Sequence, residues 1–320
     1  MDNWIKNLVI VGELYRIQLT DRYKYQSLIN TDRKGMDFFL SHILARGRND
    51  TLSNDYTSKI LSILDKIIYN GDSFDPDKYI KEVIPLLNDP LTDLLINIDY
   101  RINKETLKSK IVSNLWRSIL VSNENDLLLG NIGDIKILIA LLREIQANAE
   151  FSNPFRWTVK KIEEKGPLWV FNFFNSWAYL GHKLIKLLLR DIYFYDETRS
   201  LFAVEQNNKY EDLLQPIDVW VMAVFKELPN AKELLISKIP NKIRHKIPEE
   251  ELIFEYYVKS IKPICSEYIL EYLSCYSLTP LNRAEINAGL WVIGNNANII
   301  LYNLIINHEY STKDYKVRIY

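Results

Sequence analysis

Apolar residues recur at every third or fourth position along nearly the whole chain, which is the spacing of a helix face rather than of a half-buried strand. Breakers are scarce: 10 glycines and 11 prolines in 320 residues leave little room for hairpins and irregular crossings. The pattern predicts a nearly all-α protein in which helices are joined by short turns. The spacing places helices over Trp4–Leu19, Met36–Arg46, Asn54–Ile68, Pro76–Leu87, Lys104–Val121 and Gly133–Asn148. Further helices are expected over Pro167–Trp177, Lys183–Tyr195, Val219–Leu228, Ala231–Ser237, Glu249–Leu273 and Arg283–Ile305. Glu197–Gln215 breaks the period with Asn207, Asn208, Glu211 and Asp212 and reads as a polar connection. Around Pro229–Pro248, the basic residues Lys238, Lys242, Arg244 and Lys246 fit a solvated loop as well as a phosphate contact.

A hydrophobic content of 48% with 25% charged and 12% aromatic residues is that of a folded chain, and the length accommodates two helical domains or one large one. The formal net charge of -1 means that a nucleic-acid partner would have to be met by a local basic surface. Two cysteines, Cys265 and Cys275, are too few for a four-cysteine iron-sulfur or zinc centre. They are expected to be buried thiols of a reducing compartment, with a single disulfide between them left open. The four histidines, His42, His182, His245 and His308, show no metal-ligand spacing, so no metal and no cofactor are expected. The first ten residues carry Asp2, Asn3, Lys6 and Asn7 and lack the apolar core of a signal peptide. No apolar run reaches the ~18 residues of a membrane span, so a cytoplasmic protein without membrane contact is expected.

The most informative segment is Ser176–Ile192, where Gly181 precedes a helix with Leu184, Leu187, Leu188 and Ile192 on one face and Lys183, Lys186 and Arg190 on another. A glycine before a helix permits a tight turn, and first-turn amides assisted by the helix dipole can hold a phosphate. A solvated stripe of surface cations is the competing reading of the same spacing. Downstream, Gln215-Pro-Ile-Asp-Val-Trp-Val-Met-Ala-Val-Phe places Asp218 at a helix start behind Pro216, with Trp220, Val221, Val224, Phe225 and Leu228 expected to form a buried face. Capping alone would account for an aspartate there.

Gly181-His182-Lys183 with its following helix resembles the end of the helix-hairpin-helix motif of base-excision DNA glycosylases, whose Gly-x-Lys supplies the catalytic lysine. Pro216-Ile217-Asp218 resembles the segment bearing the glycosylase aspartate, and the two occur in the order used by that superfamily. The spacing between Lys183 and Asp218 is closest to the archaeal branch specific for 8-oxoguanine, as is the ending Pro280–Gly294 with Trp291. Phe38–Ile60 is similar to the helix, polar turn and helix near the start of glycosylase domains. Tyr179 stands in place of the hairpin's first glycine, Ile185 in place of a small residue, and Leu187 in place of a stacking phenylalanine.

The resemblance implies a two-domain helix-hairpin-helix glycosylase fold, with residues 36–196 as the central domain, 1–35 plus 197–320 as the second, and a cleft between them. It implies a monomeric DNA N-glycosylase/AP lyase acting on damaged duplex DNA, associated with the nucleoid when DNA-bound. Lys183 would be its nucleophile and Asp218 the partnering carboxylate, stabilising positive charge on the sugar and taking the lysine proton. Leu187 and Trp291 would line the base pocket, and Gly181, His182, Lys186 and Arg190 would contact DNA. Arg46 and Arg48 would bind phosphate or fill the space of an extruded base, although a solvated turn explains them equally. The alternatives are a nucleoside or nucleotide N-glycosidase of the same fold, and a catalytically inert helical interaction protein.

Overall fold

Asparagine or aspartate followed by proline starts three of the helices, because the side-chain oxygen takes an orphan amide while proline, at the first helical position, has no amide to lose. The computed structural model describes residues 3–45, 50–98, 102–112, 115–121, 126–129, 131–177, 180–203, 210–253, 256–257 and 266–295. In chain order its helices begin with α1 (Asn3–Arg22), α2 (Tyr25–Asn30), α3 (Asp32–Ile43), α4 (Asp50–Ile67), α5 (Pro76–Leu87), α6 (Pro90–Asn97) and α7 (Lys104–Val112). They continue with α8 (Arg117–Leu120), α9 (Ile132–Ala147), α10 (Pro154–Lys165), α11 (Pro167–Asn175), α12 (His182–Tyr193), α13 (Asp196–Phe202) and α14 (Tyr210–Leu213). The last are α15 (Val219–Phe225), α16 (Ala231–Ser237), α17 (Asn241–Arg244), α18 (Glu249–Ile253), α19 (Ser266–Leu273) and α20 (Pro280–Asn295). The protein is mostly helical, and the sheet among the described residues is one hairpin of two-residue strands, β1 (Tyr69–Asn70) and β2 (Ser73–Phe74). Tyr69 pairs with Phe74 and Asn70 with Ser73, around Gly71 at φ 61°.

The chain divides into two compact units, Tyr23–Leu188 and Met1–Arg22 with Leu189–Tyr320. In the first, α3 packs on α2, α4 and α10, while α9 lies against α5 and α6. Its polar hub is the fully buried Asn153, whose Nδ2 donates to the Leu28 carbonyl at 2.8 Å and whose Oδ1 caps α10 through the Arg156 amide at 2.9 Å. Arg156 then reaches Asp32 at 2.8 Å. Around this hub Phe39, Phe151, Trp157, Phe174 and Trp177 interlock with ring centroids 4.8–6.3 Å apart, a geometry aromatic pairs favour. This cluster seats the end of α11 and hence the connection into α12.

In the second unit α1 lies along α20, and α20 also packs on α15. The α1–α20 crossing is close because two glycines face backbone. A side chain at Gly12 would overlap the Glu285 carbonyl, and one at Gly289 would overlap the Leu8 carbonyl. Arg16 closes the same face with an ion pair to Glu285 at 2.8 Å. Two sequence expectations change here. Glu197–Gln215 is no simple connection, since it holds most of α13 and all of α14, with residues 204–209 outside the described set. The expected helix Lys104–Val121 is split into α7 and α8.

Candidate functional site

α11 ends where the Ser176 and Trp177 amides bond back to Asn172 and Phe174, and α12 begins six residues after Ser176, at His182. Tyr179, the position that departs from the glycosylase hairpin, lies outside the described residues. Gly181 takes the capping place of α12, its carbonyl accepting from the Leu184 amide at 3.0 Å. It is exposed, and an added Cβ would meet nothing within 4 Å. The positive end of the α12 dipole therefore lies at this exposed glycine. His182 stands beside the turn with its ring edge-on to Phe171 at 5.1 Å. Along α12, Leu184, Ile185, Leu187 and Leu188 are buried, whereas Lys183 and Lys186 are partly exposed. Leu187, assigned to a base pocket by resemblance, is 8% exposed.

Arg190 corrects the sequence reading. It was grouped with Lys183 and Lys186 as a DNA contact, but it has no exposed surface and is tied into a buried polar network. Its Nε donates to Asp191 at 2.8 Å, and Nη1 donates to the Asn287 Oδ1 at 3.0 Å. Its guanidinium lies 5.1 Å from the centroid of the Tyr15 ring. Tyr15 in turn donates to the other Asp191 oxygen at 2.6 Å. Burial opposes the guanidinium charge, but the Asp191 carboxylate and Tyr15 outweigh it and push the Arg190 pKa up. Burial, then Asp191, hold the Tyr15 phenol well above its ordinary range, so it remains a donor. Helical phase does not separate the two: seven residues, about two turns, bring Arg190 back to the side of α12 that carries Lys183, and what buries it is packing against Tyr15 of α1 and Asn287 of α20, with Asp191 as its anionic partner.

The carboxylate candidate is a helix cap as the sequence indicated. Asp218 Oδ1 accepts from the Trp220 and Val221 amides, both at 3.0 Å, and the residue is partly exposed. Trp220, expected in the buried face, is 39% exposed. It sits over Gly294, where a side chain would collide with the Trp220 carbonyl. One stripe of α20 sets this whole stretch: Arg283 bonds Glu211 at 2.7 Å and accepts from Gln215 through its carbonyl, Asn287 bonds the Pro216 carbonyl at 3.1 Å, and Gly294 receives Trp220. Trp291 occurs on the same stripe between Asn287 and Gly294. It is partly exposed and meets Tyr15 edge-on at 6.0 Å. Exposed Trp220 is the one member of this group that periodicity concealed, since a tryptophan among valines reads as core.

Lys183 belongs to the Tyr23–Leu188 unit, and Asp218 and Trp291 to the other. Arg46 and Arg48 lie outside the described residues. Cys275 is exposed and unpaired, not buried as expected, and Cys265 lies outside the described residues. His42 is buried, with Nδ1 2.6 Å from the Phe38 carbonyl. Among the described residues no cluster of three or more His, Cys, Asp or Glu side chains could hold a metal ion, and no helix is long and apolar enough to cross a membrane. Comparison with protein-family models, with curated proteins and with solved structures returned no match.

Proposed function

We propose that the chain is a DNA repair N-glycosylase with associated AP lyase activity, acting as a monomer on duplex DNA that carries an oxidised base such as 8-oxoguanine. The observation that carries this reading is the setting of Lys183, a partly exposed amine in the first turn of α12, directly after an open glycine and backed by buried leucines. In this reading the Gly181 turn approaches a phosphate, and the α12 amides and Lys186 hold it. The neutral Lys183 amine attacks C1′ of the damaged nucleotide as the glycosidic bond breaks, and the departing base takes the bonding electron pair and a proton. Loss of the amine proton and opening of the sugar give an imine, from which the 3′ phosphate is eliminated. Asp218, the cap of α15, stabilises the positive charge that develops on the sugar. By the resemblance, Leu187 and Trp291 are the base-pocket residues; Trp291 is partly exposed and Leu187 is 8% exposed.

Borohydride reduction of the imine on lesion-containing duplexes tests the proposal. A covalent adduct is expected with the wild-type chain and none with Lys183→Ala, while Asp218→Asn should slow its formation about 100-fold or more. No adduct on any lesion, or an adduct that survives Lys183→Ala, refutes it. The burial of Arg190 leaves α12 with fewer phosphate contacts and favours one second reading, an N-glycosidase of free nucleosides. That activity would be nearly indifferent to salt, whereas duplex binding through several phosphates falls steeply with it.

A further inference from the structure

We infer that Asn287, held in turn by Arg190, is a positioning residue that fixes the backbone entering Asp218. The inference rests on the reading of Asp218 as the carboxylate of the reaction.

All its members belong to the unit formed by Met1–Arg22 and Leu189–Tyr320. The bonds diverge from Arg190: it donates to Asp191, which also accepts from Tyr15, and to Asn287, which in turn donates to the Pro216 carbonyl. Arg190, Asp191 and Asn287 are fully buried, and Tyr15 is nearly so. A guanidinium only donates and a carbonyl only accepts, so the residue between them must accept on one side and donate on the other. Asparagine does both within one short side chain. Aspartate in its place would keep the arginine and lose the carbonyl, and an apolar residue would lose both.

Burying an ion pair with its hydrogen-bonded neighbours is no economical route to stability, because apolar packing of the same volume commonly does as well or better. What this chain of bonds gives is a defined position for one atom, the Pro216 carbonyl oxygen. The ring of Pro216 fixes φ, its carbonyl is fixed by Asn287, and only Ile217 intervenes before Asp218. On the far side, Trp220 rests on Gly294. Asp218 is therefore suspended between two attachments to the same face of α20, and α12, which supplies Arg190 to the first of them, also carries Lys183.

Asn287→Ala and Asn287→Asp in the full chain separate this role from bulk stability. Deuterium uptake measured on peptides covering 216–222 should rise at least tenfold in rate in both variants, relative to peptides from the middle of α20. With retained arginine pairing, Asn287→Asp should melt closer to wild type than Asn287→Ala does, yet match it in local uptake. Duplex affinity should change less than twofold, while the single-turnover rate of borohydride-trapped adduct falls at least 30-fold. Uptake in 216–222 that is unchanged, or that rises only in step with the rest of the unit, overturns the inference. If the wild-type chain forms no adduct, the glycosylase reading fails by that result alone, and the uptake comparison still decides whether Asn287 holds the Asp218 segment.

Discussion

Replacing Gly12 by alanine should destabilise the unit built on α1 and α20, and the size of the effect follows from the crossing. The new Cβ would fall 2.8 Å from the Glu285 Cα and overlap its carbonyl, whereas carbon atoms pack at about 3.5–4.0 Å. Neither neighbour is the tip of a mobile side chain, so α1 must withdraw by about 1 Å. A gap of ~0.5–1 Å forfeits a quarter to a half of a dispersion contact worth about 0.1–0.2 kcal/mol, and a buried leucine-sized side chain makes about 40–60 of them. Ile5, Leu8, Ile286 and Leu290 are fully buried on the two helices. If about a third of their contacts cross between helices, the gross interaction is about 10 kcal/mol and the loss about 2.5–5 kcal/mol. Alanine's better helix propensity returns about 1 kcal/mol. The expected net destabilisation is about 1.5–4 kcal/mol, consistent with typical overpacking costs. Urea titration followed by circular dichroism measures it, with Gly181→Ala as control because nothing lies within 4 Å of the Cβ there. A Gly12→Ala chain as stable as wild type to within about 0.5 kcal/mol would refute the steric reasoning.

Two further outcomes are expected. Arg190→Met should destabilise by about 3–5 kcal/mol in thermal or urea melts, because it leaves the fully buried Asp191 without its cation, whereas Lys183→Met should stay within about 0.5 kcal/mol. At high pH, burial holds the Tyr79 and Tyr193 phenols up at about 12 in the folded chain, with the neighbouring Tyr210 adding to the effect at Tyr193. The unfolded chain ionises them near pH ~10, so it releases protons that the folded chain retains. Stability should accordingly be intact below pH ~10 and decline as pH rises from there toward about 12, with tyrosinate absorbance appearing together with loss of helix. Ionisation of these two phenols at pH ~10 in a fully helical chain would contradict the burial argument.

How much of this was legible beforehand differs by residue. α5 and α16 have the boundaries expected from periodicity, because Asp75-Pro76 marks one start and the apolar spacing closes both. α10 escaped notice although Asn153-Pro154 carries the same starting signal, since Phe155, Trp157, Thr158 and Val159 are all buried and blur the helical stripe. α6, opened by Asp89-Pro90, was missed likewise. The hairpin at Tyr69–Phe74 is too short to establish an alternation. At the site, Asp218 as a cap was readable from local chemistry alone. Arg190 was not, because a cation's burial is decided by a partner remote in sequence, here Asn287 and Tyr15 as well as the adjacent Asp191. Trp220 was misjudged because its valine-rich surroundings read as core, whereas its side chain is 39% exposed while its backbone packs on Gly294, 74 positions away.

The pairing of Gly12 with Glu285 and of Gly289 with Leu8 also bears on how the protein is made. During synthesis at about 5–20 residues per second, α1 waits roughly 15–55 s for α20, the helix it is shaped to meet. The unit Tyr23–Leu188 is contiguous and is made in that interval. Trp4, Ile5, Leu8 and Val11, all buried in the finished molecule, spend that interval without their partner. The apolar face of α1 is thus covered only once α20 has been made, long after its own synthesis.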